Sequence, residues 1–463
     1  MAGMKIYNTA TRKKEEFKPM SDTVGIYSCG PTVYSSPHIG NMYAYICWDV
    51  LVRTLRYLGY KVNWVMNVTD VGHLTDDADN GEDKMEKGSK REGLSAQEIA
   101  KKYEAEFLEN LKFLNINKPN EMPRATECIT DQINLIKKIE TNGFTYKTSD
   151  GIYFDTSKFS DYGKFANLNL EKIKEGARIE VNEEKRNSTD FALWKFSPST
   201  GSGLPKRQME WNSPWGIGFP GWHIECTAMS TKYLGSKFDI HTGGEDHIPV
   251  HHTNEIAQAF GAFGENTANY WVHNAFITFK GNKISKSSGG LYTLMDLMNE
   301  GFDPMAFRYM VLGSHYRKGI EFSLENLKVA ETALNKLRSY WVDKVGQVDD
   351  RYKKEFTGKI SADLAMPEAM AVVWSMLRSS DLSSEDKWAT ILDFDSVLGL
   401  RLDKKVVEEE VPEKVLKLAE ERNKAREEKN WAESDRLREV IKEAGYLVED
   451  SQNSCKIHRI RNF

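Results

Sequence analysis

Residues 24–41, VGIYSCGPTVYSSPHIGN, decide the fold class that we predict for this chain of 463 residues. Positions 24–34 are rich in β-branched and aromatic residues, a composition typical of a buried strand. After the break at Ser35-Ser36-Pro37, apolar residues recur at spacings of three and four from Tyr43 to Leu58. That periodicity predicts a helix.

A second strand is predicted directly after this helix. Gly59 ends the helical pattern, and residues 62–68 have the composition of another buried strand. A strand, a helix and a strand in this order form a right-handed unit with parallel strands. Ligands of such sheets bind at the carboxyl ends of the strands, where Cys29, His38 and the segment 67–70 all fall. We therefore expect an α/β fold with a ligand site at this edge.

Composition limits the class of protein. A chain of this length is too long for one hydrophobic core, so roughly two to four domains are expected. The net charge of −5 argues against a protein that coats nucleic acid non-specifically, although it leaves room for a local basic surface. The sequence has no apolar run of membrane-spanning length, and its five cysteines are too scattered for a disulfide framework. We therefore expect a cytoplasmic protein without a membrane segment.

The rest of the chain divides by pattern. Helices are predicted over residues 96–114 and 127–141, and the stretch 143–215, with short strands and a Ser/Gly/Pro loop, has the character of an insertion. The α/β pattern then resumes, with a strand, a helix and a strand predicted at 238–241, 250–263 and 272–278. Beyond Phe322 the pattern is almost wholly helical.

Six of the ten histidines lie in one stretch of 51 residues. Within it, His251 and Glu255 are four residues apart on a predicted helix, so they share a face and can hold one metal ion. With Cys226 and Cys29 they form a donor set that suits zinc and is too soft for magnesium or calcium. The alternative is two core cysteines and a solvated helix face, and spacing alone leaves it open. His252 is a rival ligand that an ideal helix turns about 100° away from His251.

A second set of residues has the pattern of a nucleotide site. His38 and Gly40 stand where a strand gives way to a helix, and Lys283 and Lys286 lie on a glycine-flanked loop. The start of a helix binds phosphate, and a cationic loop stabilises the negative charge of the phosphates. Both are required for the transfer of an adenylyl group to a carboxylate. In the turn 243–246, the glycines would let an adenosine approach the backbone closely. The aspartate of this turn would accept hydrogen bonds from the ribose hydroxyls. A capping histidine, plain loop lysines and an ordinary turn are the alternatives.

With these segments assembled, the chain resembles the cysteinyl-tRNA synthetases, a family of class I aminoacyl-tRNA synthetases, over nearly its full length. Five segments in this order carry the resemblance: Tyr27-Ser28-Cys29-Gly30-Pro31-Thr32-Val33-Tyr34, the HIGH-like residues 38–41, Pro220-Gly221-Trp222-His223-Ile224-Glu225-Cys226, His251-His252-Thr253-Asn254-Glu255-Ile256-Ala257-Gln258, and the KMSKS-like residues 283–287. The implied fold is a Rossmann-like parallel-sheet catalytic domain with an inserted connective subdomain, followed by an all-α C-terminal region.

The resemblance implies a role for each matching residue. One zinc ion, which takes the substrate thiolate as a further ligand, would be held by Cys29, Cys226, His251 and Glu255. Trp222 would form a wall of the amino-acid pocket, and Thr69 would lie near the substrate. The implied catalytic residues are His38, Asn41, Lys283 and Lys286. The implied binding residues for ATP, which enters with Mg²⁺, are Gly40, Gly243, Gly244, Asp246, Lys286 and Ser287.

The implied activity is the activation of L-cysteine by ATP to cysteinyl-adenylate and its transfer to the terminal adenosine of tRNA(Cys). Zinc would select the thiolate over the neutral hydroxyl of serine, so we expect no editing domain. We expect a monomer divided into the two halves of the catalytic domain at 1–120 and 216–320, a connective subdomain at 121–215, a helical stem-contact domain at 321–402, and an anticodon-binding domain at 403–463.

Four departures from the family pattern stand out. Asn41 replaces a histidine, Ile284 replaces a methionine, and Phe219 stands where a basic residue is common. Residues 72–87 are longer and more acidic than usual. We interpret their acidic residues, Asp76, Asp77, Asp79, Glu82 and Asp83, as part of a solvated loop, and an extra cation site is the alternative. There are two rival functions. One is an amide ligase that joins cysteine to an amino sugar, and such a ligase lacks the anticodon domain. The other is a zinc-stabilised RNA-binding module, which has no use for an α-phosphate site.

Overall fold

The protein consists of an α/β unit followed by a helical region, as a computed structural model shows. The structure describes residues 3–72, 83–168, 184–197, 207–279, 282–283, 292–404, 412–428, 430–451 and 454–459. Within these ranges, no helix is both long and apolar enough to cross a membrane.

A four-stranded sheet, in which every strand is parallel to its neighbours, forms the centre of the α/β unit. We call it the parallel sheet. Its strands, in order across the sheet, are Ala268–Asn274, Phe238–Gly244, Thr23–Ser28 and Lys61–Met66. Helix Ile39–Tyr57 connects the last two of these strands, so the predicted strand–helix–strand unit and the predicted α/β class are confirmed.

The first strand of the parallel sheet is shorter than predicted. It ends at Ser28 rather than at residue 34. Pro31 has no N–H with which to extend the ladder. Instead, its carbonyl accepts the Thr69 N–H at 2.9 Å, and the Val33 N–H donates to the Thr69 carbonyl at 3.1 Å. The segment after Ser28 is therefore held against the end of the neighbouring strand, at the edge where a ligand was expected.

Other predicted elements differ from the observed ones mainly at their ends. The predicted helices at 96–114 and 127–141 are observed as Ala96–Phe113 and Ile129–Thr141. The predicted helix at 250–263 is observed as Thr253–Phe263, and a π-helical turn, Ile248–His252, precedes it. The predicted strand at 272–278 is two strands, Ala268–Asn274 and Ile277–Phe279.

A second, antiparallel sheet is inserted into the α/β unit. Its strands, in order, are Thr145–Lys147, Gly151–Phe154, Phe191–Phe196 and Gly218–Pro220. Phe154 and Phe191 stack across two of them with ring centroids 5.2 Å apart. The last strand lies beyond residue 215 and leads through Gly221 into helix Trp222–Leu234. The inserted sheet thus fixes the start of the helix that carries Trp222 and Cys226.

The remaining elements are short strands beside the sheets and helices that follow them. The strands are Lys5–Asn8, Lys13–Glu16, Asn282–Lys283 and Ile320–Glu321. The helices are Lys84–Glu92, Leu294–Asn299, Pro304–Leu312, Leu324–Arg338, Asp350–Ile360, Met366–Arg378, Ser384–Leu398, Glu413–Glu427 and Trp431–Glu443. The predicted helical C-terminal region is confirmed.

The helical region ends in a hairpin that the sequence analysis did not predict. Strands Tyr446–Ser451 and Ser454–Arg459 pair antiparallel after Gly445, whose φ of 86° turns the chain out of the last helix. Tyr446 and Val448 are buried against Val415 and Ile441 of the preceding helix pair. The hairpin therefore belongs to the same small core as these helices.

A buried ion pair joins the first helix of the α/β unit to the helical region. The guanidinium of Arg308 donates to Asp49 at 2.6 Å, and both side chains are fully buried. The same guanidinium donates to the Leu398 carbonyl at 2.7 Å and to the Leu114 carbonyl at 3.0 Å. Arg53 also donates to Asp49, at 2.7 Å. Helix Ile39–Tyr57 is thus attached to the end of helix Ser384–Leu398.

Candidate active site

The carboxyl ends of the parallel strands open into a cavity of about 410 Å³. The residues of the predicted sites that line it are Cys29, His38, Gly40, Asn41, Thr69, Trp222, Cys226, Gly243, Gly244, Asp246 and His251. Glu255 does not line the cavity but is buried within reach of the same cluster. The candidate metal ligands and the described part of the candidate nucleotide site therefore share one cavity.

The four candidate metal ligands converge. One donor atom each of Cys29, Cys226, His251 and Glu255 lies within 4.8 Å of the others, and all four side chains are buried. Nε2 of His251 is 3.1 Å from Oε1 of Glu255, and Sγ of Cys29 is 4.0 Å from that same oxygen. Cys29 comes from a strand end, Cys226 from helix Trp222–Leu234, and the other two from the π-helical turn and the helix after it. Three separate stretches of the chain thus build the cluster, because the π-helical turn and the helix after it are continuous.

His252 also reaches this cluster, and our expectation that it turns away was wrong. Its Nε2 is 3.3 Å from Sγ of Cys29 and 3.8 Å from Oε1 of Glu255. Cys29, His241, His252 and Glu255 form a second set of donors within 4.8 Å of one another. One reason is the wider π-helical turn, which rotates successive residues by less than an α-helix does. The other is that His252 precedes Glu255 by three residues, a spacing that shares a helix face.

The groups of the cluster shift one another's pKa values in opposite directions. A hydrogen bond from Cys29 lowers the pKa of Cys226 to about 6, whereas burial raises the pKa of Cys29. Burial opposes the charged form of His251, but Cys226 and Glu255 outweigh it and raise the pKa of His251 to about 10. Burial likewise opposes the carboxylate of Glu255, but His241 and His251 outweigh it and lower that pKa to about 2. Cys226 and Glu255 are therefore held in the anionic forms that bind metal ions.

Further histidines surround the cluster, and the sequence analysis gave them no role. His241 Nε2 is 2.9 Å from Oε2 of Glu255, and His223 Nδ1 is 2.9 Å from Nδ1 of His251. Nδ1 of His252 is 2.7 Å from Nε2 of His273. The density of histidines between residues 223 and 273 was the available signal. Such neighbours fix the orientation of the rings and carboxylate that face the cavity.

The side of the cavity beside the cysteines carries a buried polar network. Thr69 Oγ1 donates to Oε2 of Glu225 at 2.9 Å, and Asn67 Nδ2 donates to Thr69 Oγ1 at 3.0 Å. Asn67 Oδ1 accepts the Gly30 N–H at 2.7 Å. The ring of Trp222 lies 4.8 Å from the ring of His251. The sequence analysis gave no role to Glu225, which lies one residue before Cys226.

His38, which also lines the cavity, is the N-cap of helix Ile39–Tyr57. Its backbone N–H donates to Oδ1 of Asn41 at 3.1 Å. A Cβ at Gly40 would come within 2.9 Å of the His38 ring, so a glycine leaves room for the imidazole at the helix start. The side chain of Asn41 therefore satisfies a backbone donor at the helix N-terminus, which explains how asparagine is accommodated there.

The turn after strand Phe238–Gly244 also lines the cavity. A Cβ at Gly243 would lie 2.5 Å from Cε1 of His252 and 2.7 Å from Nδ1 of His247. Glycine is required here because two imidazoles pack on the backbone. Gly244 and Asp246 line the same cavity. The backbone of Lys283 pairs with Thr278, whereas Lys286 and Ser287 lie outside the described residues.

A second departure from the family pattern, Phe219, also has a structural explanation. The guanidinium of Arg207 stacks on the ring of Phe219 with its Cζ 3.6 Å from the ring centroid. Arg207 also pairs with Asp83, which is buried and is the N-cap of helix Lys84–Glu92. Our interpretation of residues 72–87 as a solvated loop is therefore wrong for Asp83. The acidic residues Asp76, Asp77, Asp79 and Glu82 lie outside the described residues.

Comparisons with known proteins show the family to which this chain belongs. Residues 16–332 match the family model described as tRNA synthetases class I (C) catalytic domain, and residues 408–455 match that of the cysteinyl-tRNA ligase anticodon binding domain. A cysteine–tRNA ligase 1 of Burkholderia lata is 49% identical over 458 residues, which cover 98% of this chain and 96% of that protein. This chain belongs to the cysteine–tRNA ligase family.

Other similar proteins support the same family and fold. A cysteine–tRNA ligase of Treponema denticola is 42% identical over 485 residues, which cover 96% of this chain and 98% of that protein. Among solved structures, a methionyl-tRNA synthetase of Mycobacterium tuberculosis bound by methionyl-adenylate aligns with a TM-score of 0.56 at 14% identity. The alignment covers 82% of this chain and 92% of that one, and it shows a shared fold. As a member of the cysteine–tRNA ligase family, the chain is a ligase that forms aminoacyl-tRNA.

Proposed function

We propose that this protein activates L-cysteine with ATP and Mg²⁺ to cysteinyl-adenylate and transfers the cysteine to the 3′-terminal adenosine of tRNA(Cys). The observation that carries the proposal is the shared cavity, which is lined both by members of the thiol, imidazole and carboxylate cluster and by the start of helix Ile39–Tyr57. The match of residues 408–455 to an anticodon-binding model supports a tRNA substrate over the rival amide ligase.

The donor cluster fits one zinc ion. Its atoms lie within 4.8 Å of one another, compared with about 3.3–3.8 Å between the ligands of a tetrahedral zinc ion. We assign Cys29, Cys226, His251 and Glu255 as the ligands, because two thiolates make the softer of the two donor sets. When bound, zinc would supply a Lewis acid that prefers the thiolate of cysteine to the hydroxyl of serine.

The protein's own residues would orient the amino acid around that ion. Thr69 and Glu225 form a fixed polar pair, so Thr69 would meet the polar end of the amino acid without rotating. Trp222 packs on His251 and would close one side of the pocket to water. Because this pair and this ring are held by contacts within the protein, little side-chain ordering would be needed when cysteine binds.

The second half of the cavity would hold ATP. His38, Gly40 and Asn41 would face the phosphates at the helix start, where backbone N–H groups and the helix dipole favour anions. The adenosine would lie against Gly243 and Gly244, with Asp246 accepting from the ribose. Lys283, Lys286 and Ser287 would complete the site around the phosphates. The attacking carboxylate is already ionised, so positioning and charge stabilisation would do most of the catalysis.

The proposed division of the chain follows the same function. Residues 1–120 and 216–320 would form the catalytic domain around a connective subdomain at 121–215. Residues 321–402 would contact the tRNA stem, and residues 403–463 would read the anticodon. We propose that the protein works as a monomer in the cytoplasm.

The experiment that tests the proposal is ATP–pyrophosphate exchange with cysteine or serine, together with charging of tRNA(Cys) and the metal content of the purified protein. We expect one zinc ion per chain and exchange at least about 10³-fold weaker with serine, because a site that demands a specific partner reaches such ratios. Equal exchange with both amino acids would refute selection by the metal. Exchange with cysteine without charging of tRNA(Cys) would refute the ligase assignment.

A further inference from the structure

Lys84 brings a positive charge into the cavity close to the candidate metal cluster. It is the first residue of helix Lys84–Glu92 and lines the cavity. Its Nζ lies 4.8 Å from the centroid of the Trp222 ring, whose other ring contacts include His251 at 4.8 Å. The ammonium group and an imidazole of the cluster therefore both lie against the same aromatic ring.

The backbone that carries Lys84 is held by several buried contacts. Asp83 caps the helix, because its Oδ1 accepts the N–H groups of Met85 at 2.7 Å and of Glu86 at 3.1 Å. Met85 is buried in a small core with Val33 and Val68. The helix start, and with it Lys84, is thus fixed to the segments that follow two strands of the parallel sheet.

Arg207 and Gln208 hold the same helix from the opposite direction. Arg207 pairs with Asp83, donates to the Gly72 carbonyl at 2.9 Å and stacks on Phe219. Gln208 Nε2 donates to Ser89 Oγ at 3.1 Å. These contacts connect helix Lys84–Glu92 to the chain that leads into helix Trp222–Leu234. Lys84 and the Trp222 ring are therefore positioned by one continuous set of contacts.

The charges of the cavity and of the proposed reactants indicate a role for Lys84. Among the described residues that line the cavity, Lys84 is the sole lysine or arginine. The two proposed reactants, the carboxylate of the amino acid and the α-phosphate of ATP, are both anions that repel each other as they approach. The predicted loop lysines would serve the phosphates, whereas Lys84 lies on the Trp222 side, where the amino acid is expected.

We propose that Lys84 is a substrate-binding residue that holds the α-carboxylate of the amino acid against the Trp222 side of the pocket. This inference rests on the proposed function. A fixed ammonium group would make a charge-assisted hydrogen bond to the carboxylate and offset its repulsion from the α-phosphate. Analogues of the amino acid that lack the carboxylate would gain no affinity from Lys84.

The experiment compares the binding of L-cysteine and of L-cysteinol, in which a hydroxymethyl group replaces the carboxylate, by calorimetric titration of the full chain. We expect Lys84→Met to weaken cysteine about 10- to 100-fold, the range of a charge-assisted hydrogen bond, and to leave cysteinol unchanged. Lys84→Arg should retain part of the preference for cysteine. In pyrophosphate exchange, Lys84→Met should raise KM for cysteine and leave KM for ATP unchanged.

Lys87→Met is the matched control, because Lys87 lies on the same helix and is exposed. Equal weakening of cysteine and cysteinol by Lys84→Met would show a structural role and overturn the proposal, as would unchanged binding of cysteine. Wild-type protein that binds no cysteine would instead refute the proposed function, and the assignment of Lys84 with it. Thermal unfolding of each variant checks that the fold is retained.

Discussion

Replacing Cys226 tests which of the two overlapping donor sets holds the metal ion. The two sets share Cys29 and Glu255, and only one contains Cys226. A structural zinc site binds with about 12 kcal/mol, so each of four donors contributes about 3 kcal/mol if they share it equally. Cys226→Ser should therefore weaken zinc about 150-fold. His252→Asn, which in our assignment removes a neighbour of Cys29, should weaken it only about tenfold.

The assay is competition with a chromophoric chelator, followed by spectra of the Co²⁺-substituted protein. Two thiolate ligands should give a strong charge-transfer absorption, and Cys226→Ser should remove about half of it. Cys128→Ser is the control, because Cys128 is equally buried but belongs to neither donor set. The assignment is refuted if His252→Asn weakens zinc as much as Cys226→Ser does and the absorption survives in Cys226→Ser. The set with His241 and His252 would then be the ligands.

Three further predictions concern stability and the tail. Arg308→Met should lower the free energy of unfolding in urea by about 4 kcal/mol, because it breaks a fully buried ion pair; a change below 1 kcal/mol would contradict this. Burial raises the pKa of Asp70 to about 6, so the folded state binds its proton more tightly than the unfolded state, and this contribution to stability is lost as the pH rises. Relative to wild type, Asp70→Asn should therefore gain about 2 kcal/mol between pH 4 and pH 7, and parallel curves would refute the shift. Removal of residues 403–463 should abolish charging of tRNA(Cys) and spare pyrophosphate exchange. Normal charging by the shortened protein would show that another part of the chain reads the anticodon.

The parts of the fold that follow from short-range patterns were predictable. The strand–helix–strand unit around residues 24–68 and the pair His251 and Glu255 depend on spacings of two, three or four residues. The early end of the first strand was not predicted, because it depends on contacts between Pro31, Val33 and Thr69 across two strand ends. Periodicity cannot report such pairings.

The features of the site that escaped prediction depend on local distortion or on distant partners. His252 faces the cluster because of a π-helical turn, and a pattern based on ideal helices has no place for one. Asp83 is buried because it pairs with Arg207, which lies far along the chain and stacks on Phe219. The terminal hairpin was not predicted, because it depends on the packing of Tyr446 and Val448 on the preceding helix pair. In each case the deciding contact lies outside the window from which the prediction was made.

The attachment of Asp49 has a mechanical consequence for the first helix. Helix Ile39–Tyr57 has 19 residues, which span about 28 Å, and it begins beside His38 in the cavity. Its middle is tied through Asp49 and Arg308 to the end of helix Ser384–Leu398. A helix of this length bends little, so a rotation of the distal helices that shifts Leu398 would either tilt the residues next to His38 or break the hydrogen bond between Arg308 and the Leu398 carbonyl.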